Sequence, residues 1–224
     1  MGTSCVRWWP ATWTFVPTKV IQVPGFRRIL VPLPAPVLDD CDLFVTVPVP
    51  KVHANTVVSM SLKNQWGLIQ EPRRRLKLHC DFAAVIHAIT RALPPSISVI
   101  DGLYGLNRNG PMRGDAVRLN WLVASDDLYL ADVLGCRLIG VNPRRIPYLM
   151  EILERQGIAS DEPMDLNRDP EPFVVRPPFY LSRDWTDYPG VATFRSRLLA
   201  YLGYESSLAG PLHRCLYRFR EPFY

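Results

Sequence analysis

The chain has 224 residues, enough for one domain with a sizeable core, since domains usually run to about 100–200 residues. Hydrophobic residues make up 48% and charged residues 21%, ordinary globular values that exclude wholesale disorder. The net charge is +5, but the basic residues are not interleaved with aromatics in any nucleic-acid-binding motif, and no apolar run reaches the ~18 residues of a membrane span. A cytoplasmic protein with neither nucleic acid nor membrane as partner is the expectation.

Five cysteines (Cys5, Cys41, Cys80, Cys136, Cys215) are scattered and never spaced as CxxC. That pattern argues against a disulfide framework, a zinc ribbon or a cysteine-ligated iron–sulfur cluster within this chain. Proline is the outlier, at 22 residues, and it clusters toward the two ends. Those ends should be extended and loop-rich, because proline fixes φ and removes a backbone donor.

In chain order, Arg28–Pro34 reads as a short strand interrupted by proline, and so at a sheet edge. The next stretch alternates, with Cys41, Leu43, Val45, Val47 and Val49 on one face, the period of a buried strand. Polar chemistry begins where that strand ends, at Lys51 and His53, and ligands of open α/β sheets sit beyond the carboxyl ends of strands. Phe82, Val85, Ile86, Ile89 and Leu93 recur with the period of an amphipathic helix, stopped by Pro94 and Pro95. Ser96–Asp101 reads as a strand ending in a carboxylate, followed by a loop with Gly102, Gly105, Gly110 and Gly114. Val117–Ala124 reads as a third strand, with Ser125 capping the next helix and Asp126 and Asp127 in its first turn. A further helix spans Pro143 to Gln156, with Gly157 as its C-cap.

Alternating strands and helices indicate an α/β fold with a single open mixed or parallel sheet flanked by helices. The expected division is a core over residues 1–160 and, over 161–224, a proline-rich segment with a helical extension packed on the core or a partner. That extension carries an amphipathic helix through Phe194, Leu198 and Leu202 and ends in the basic-aromatic stretch HRCLYRFREPFY.

The segment from Lys51 to His79 is the densest in chemistry. Lys51 and Lys63 offer ammonium donors, His53 and His79 can exchange protons near neutrality, and Asn64 supplies an amide. Arg73, Arg74 and Arg75 provide forked donors suited to carboxylate, phosphate or sulfate, although a run of adjacent charges cannot all face one site. Lys51, His53, Lys63 and Asn64 interrupt apolar stretches, where bare lysines are costly unless a cavity or partner receives them. Asp101, Gly110 and Arg113 complete the candidates, whereas His87, His213 and Asp132 read as structural or surface groups. No HExxH, P-loop or GxGxxG motif is present, so neither a metal nor a nucleotide cofactor is expected.

The ordered succession of PKVHANT, SLKNQWG, the basic run to His79, VIDG, GPMRG and LVASDDLYLADVLG resembles the domain of unknown function 362 family, over roughly Lys19 to Ala159. The resemblance implies an α/β fold, and many members carry a ferredoxin-like iron–sulfur module. This chain has no CxxCxxC array, so no cluster is carried over. It also lacks the N-terminal part that usually precedes the matching region, with only the leader WWPATWTF in its place. A shortened sheet exposes an apolar edge, so a second subunit, a fuller-length relative, is expected to cover it.

These readings converge on an enzyme or enzyme subunit that acts on a small anionic metabolite without a redox cofactor. Lys51, Asn64, Arg73, Arg75, Gly110 and Arg113 would hold the substrate, and His53, His79, Lys63 and Asp101 would carry the chemistry. Elimination of a charged leaving group, with or without ring closure, or group transfer fits this kit. The alternatives are the substrate-binding subunit of an iron–sulfur redox complex whose cluster lies on the partner, and a non-catalytic subunit that stabilises a heteromer.

Overall fold

The computed structural model describes residues 16–26, 28–70 and 77–218. Strands β1 (Thr18–Gln22) and β2 (Leu30–Pro34) pair antiparallel in a ribbon of their own. Two prolines fit β2 because each strand of such a ribbon has one unpaired side, while Val31 and Leu33 are fully buried. The short helix α1 (Ala35–Asp39) follows, with proline in its first turn.

The main sheet is built on one long strand. β3 (Phe44–Thr46) and β4 (Lys51–His53) run in succession along β6 (Ser96–Asn107), both parallel to it. The prolines between them donate no hydrogen bond, yet the carbonyls of Pro48 and Pro50 accept from the amides of Asp101 (2.9 Å) and Leu106 (3.0 Å). The ladder therefore crosses the break. β5 (Val57–Ser59) folds back antiparallel on β4, and β7 (Asp115–Ser125) lies antiparallel to β6. The fold is α/β, with an open mixed sheet.

Helices α2 (Ser61–Asn64), α3 (Phe82–Ala92), α4 (Leu128–Leu138) and α5 (Pro147–Gln156) enclose the core with the inward side chains of the sheet. α3 buries the face read from its sequence and stops before Pro94. α4 is capped by Asp127 rather than by Ser125: the Asp127 carboxylate accepts from the amides of Tyr129 (2.8 Å) and Leu130 (2.9 Å). The expected Pro143–Gln156 helix divides into one tight turn, Pro143–Arg145, and α5, which ends at Gly157 with φ 70°.

Two further sequence readings are corrected. The alternating apolar residues near β3 do not face the core. Leu43, Val45, Val47 and Val49 are 43–59% exposed, and it is Thr46, Pro48, Pro50 and Val52 that are buried. Leu103 and Leu122 are exposed as well, at 52% and 65%. The second correction concerns the glycines after Asp101. β6 does not end there but runs on to Asn107, and Gly102 and Gly105 are strand glycines lying under rings. A Cβ on Gly102 would fall 2.2 Å from the Trp121 ring, and one on Gly105 would fall 3.0 Å from the Phe179 ring.

The C-terminal segment packs on the core. The amides of Val175 and Phe179 bond to the carbonyls of Leu138 (2.8 Å) and Ile139 (2.9 Å), and Phe179 is buried. Where one amphipathic helix was expected there are two, α6 (Tyr188–Arg195) and α7 (Arg197–Tyr204), followed by α8 (Ala209–Arg218). Ser196 makes the division: it is extended, and its hydroxyl caps α7 at the amide of Leu199. The leader WWPATWTF and the last six residues lie outside the described residues.

Gly102→Ala forces the Trp121 ring off its seat. The expected loss is about 1–3 kcal/mol, read as a lower urea midpoint with an unchanged slope.

Candidate functional site

The β4–β5 hairpin places the first two candidates. Lys51 and His53 are two residues apart and so project from the same side of β4, opposite Ser59 and Val57. Val57 adopts φ 69°, a left-handed conformation that a β-branched residue takes only under strain, directly across from His53. The tight turn Ala54–Thr56 imposes that geometry, and the amide of Ala54 is held by the carbonyl of Gly110 (3.0 Å). Gly110 is buried there because any Cβ would fall 1.9 Å from the carbonyl oxygen of Val52. Its part in the site is this close backbone approach.

Lys63 comes from α2, which follows β5 directly. It is 91% buried, and its ammonium sits 5.4 Å from the centroid of the Phe82 ring. Among the described residues, neither Lys63 nor Lys51 forms an ion pair or a side-chain hydrogen bond. Burial, and then the charge of Lys51, lower the Lys63 pKa from the usual 10.5 to about 8.

His53 is also buried. Desolvation first, then the charges of Lys63, His79 and Lys51, push its pKa from 6.5 down to about 2. Its Nδ1 accepts the amide of Asn55 at 3.1 Å, so in the neutral ring the proton resides on Nε2. His53 is thus a neutral hydrogen-bond donor, whereas Lys63 can exchange a proton near neutrality.

His79 stands at the edge of this cluster inside an aromatic wall. Its ring centroid lies 4.6 Å from that of Trp66, 6.0 Å from that of Phe82 and 4.0 Å from that of Phe194, the last stacked on it from α6. The tail that brings Phe194 is clamped beside it, where the Arg197 guanidinium donates to both oxygens of Asp81 (2.7 and 2.8 Å).

The remaining candidates are placed differently. Asn64 is exposed, and its amide donates to the Thr46 hydroxyl at 2.8 Å. Asp101 lies in mid-strand on the open face of the sheet, its carboxylate accepting the amide of Leu103 at 3.0 Å, so it does not join the cluster. Arg113 is exposed on the β6–β7 turn. Arg73, Arg74 and Arg75 lie outside the described residues. No group of three or more histidine, cysteine or acidic residues is close enough to hold a metal ion among the described residues. No described helix is long and apolar enough to cross a membrane.

Two residues that sequence reading did not place at the site lie against it or brace it. Asp132 is completely buried, and its carboxylate accepts the amides of Ser61 (2.7 Å) and Leu62 (3.3 Å) at the start of α2. Burial raises its pKa to about 7 against those hydrogen bonds. An acid on an otherwise apolar helix was the available signal. Phe194 gave none, because stacking on a residue 115 positions earlier in the chain leaves no local trace.

The model of a family described as "Domain of unknown function (DUF362)" matches residues 14–137, and the chain belongs to that family. It is similar to a thylakoid-associated protein, sll1697, from Synechocystis sp., with 28% identity over 126 residues. That match takes in 53% of this chain and 39% of the relative, so the chain spans about two fifths of the relative it matches. No solved structure matches.

Lys63→Met replaces a buried ammonium, without an ion pair among the described residues, with an apolar group of similar length. Because the folded pKa of Lys63 is lowered, its burial costs most below pH 8 and the cost disappears as pH rises from about 8 toward 10.5. The variant should therefore be more stable than the parent at pH 7, by up to the order of 3 kcal/mol. The gap should close by pH 10.5 in parallel urea melts.

Proposed function

We propose that this member of the DUF362 family binds a small anionic metabolite at the Lys51–His53–Lys63 cluster and acts on it, as an enzyme or enzyme subunit, without a redox cofactor. The observation that carries this reading is the convergence of two lysines and a neutral histidine donor with no carboxylate to neutralise them among the described residues. Buried charge without a partner is costly, and an incoming anion removes the cost. A carboxylate, phosphate or sulfate oxygen would take hydrogen bonds from both ammonium groups and from His53 Nε2.

Lys63 is the proton donor in this reading. Elimination needs one proton taken from carbon and one given to the departing anion; His79 would take the first and the Lys63 ammonium would give the second. In ring closure or group transfer the proton taken would come from the attacking group, and the one given would again go to the departing group. The reading places the protein in the cytoplasm.

A second proposal concerns assembly. The exposed valines of the β3 face and Leu103 and Leu122 on the neighbouring strands support a second protein subunit as their cover, since faces of partly parallel sheets are normally buried. Sedimentation of the purified chain tests this: a well-folded monomer that stays soluble at high concentration would overturn it.

Sulfate and inorganic phosphate serve as probes for the site. Calorimetric titration should show binding at pH 7 with proton uptake, weakening as pH rises through about 8, where the ammonium of Lys63 is lost. Lys63→Met and Lys51→Met should each weaken it about tenfold or more, the size of a charge-assisted hydrogen bond. Equal binding by both variants would refute the assignment.

A further inference from the structure

Lys63 is buried and has no ion pair among the described residues, so something must hold the turn that carries it. α2 is only four residues long, and Met60, which precedes it, offers no side-chain cap. The amides of Ser61 and Leu62 are instead taken up from across the core by Asp132, 71 and 70 residues away in sequence. The Ser61 hydroxyl is 2.6 Å from that of Ser98 on β6, and both serines are fully buried. The turn is therefore tied to α4 through one carboxylate and to the sheet through one hydroxyl pair.

We propose that Asp132 is the positioning residue of the anion site, fixing the α2 turn so that the Lys63 ammonium stays beneath Phe82 and beside His53. The inference rests on the reading of Lys63 as part of that site. Asp132 has no part in ligand contact; it acts through Lys63. A buried carboxylate with no cation is an expensive cap, and an uncharged asparagine or serine would hold an ordinary turn more cheaply. What a carboxylate adds is simultaneous acceptance, one oxygen for each of two adjacent amides. It fixes the direction of the turn as well as its place. The groups facing it are the Ser61 hydroxyl and the two amides from α2, Tyr148 from α5 and Cys136 on its own helix. None of these is a cation.

The test needs no knowledge of the natural ligand. Titration of the Lys63 side chain by NMR should give a midpoint near 8 in the parent. In Asp132→Asn the midpoint should move up toward that of an ordinary lysine, because a loosened turn lets the ammonium reach water. A purely electrostatic role predicts the opposite sign, since removing a negative charge lowers an ammonium pKa. An unchanged or lowered midpoint in a folded variant overturns the proposal.

The parent protein supplies a second arm should Asp132→Asn fail to fold. Protonation weakens the carboxylate as an acceptor, so protection of the Ser61 and Leu62 amides from hydrogen exchange should fall as pH drops through about 7. Protection that is flat from pH 5 to 9 overturns the proposal. Sulfate affinity of the variant should fall about tenfold, in keeping with one misplaced charged donor. If the parent itself fails to bind sulfate, the anion-site reading falls while the Lys63 midpoint still judges Asp132.

Discussion

Strand β6 must hydrogen-bond along both of its edges, and most of the molecule is arranged to let it. One edge takes β7 along nearly its whole length. The other takes β3 and β4 end to end, with two prolines between them whose carbonyls keep the ladder going. Because that second ladder is parallel, β4 emerges at the far end of β6, beside the turn that carries Gly110. His53 is delivered there by register, and the glycine lets the turn come close enough to hold Ala54. A side chain on Gly102 or Gly105 would push the rings of Trp121 and Phe179 away, and with them the layer that locks the tail to the core.

Onto this frame the protein places positive charge that has no negative partner among the described residues. Desolvation acts on His53 and on Lys63 but with different results. It holds His53 neutral, fixed in one tautomer by the amide of Asn55, and leaves Lys63 able to gain or lose a proton near neutral pH. Of the two residues read from the sequence as candidates for the chemistry, His53 is a neutral hydrogen-bond donor and Lys63 is the one in the titrating range. Burial first, and then the neighbouring positive charges, set these two states.

Some of this was legible in the amino-acid sequence. The α/β class, the helix over Phe82–Ala92 and the clustering of Lys51, His53, Lys63 and His79 all follow from periodicity and composition. Residues that depend on distant partners were not legible. The valines of the β3 stretch alternate with perfect strand period, but period cannot say which face meets the core, and here the prolines face inward. Gly102 and Gly105 carry the signature of a loop until the rings above them are known. Asp101 reads as a strand-end acid only because β6 continues further than its glycines suggest. Asp132 shows its use only when α4 is packed against α2.

The aromatic wall has a consequence for how such a site changes over time. The lysines and His53 lie within residues 14–137, the stretch shared with the family, whereas Phe194 reaches His79 from far beyond it. The basic residues and His79 thus lie in the stretch that matches the family model, and the ring stacked on His79 lies outside it. Under the proposed function, substitutions in α6 would alter the wall beside His79 and leave Lys51, His53 and Lys63 in place.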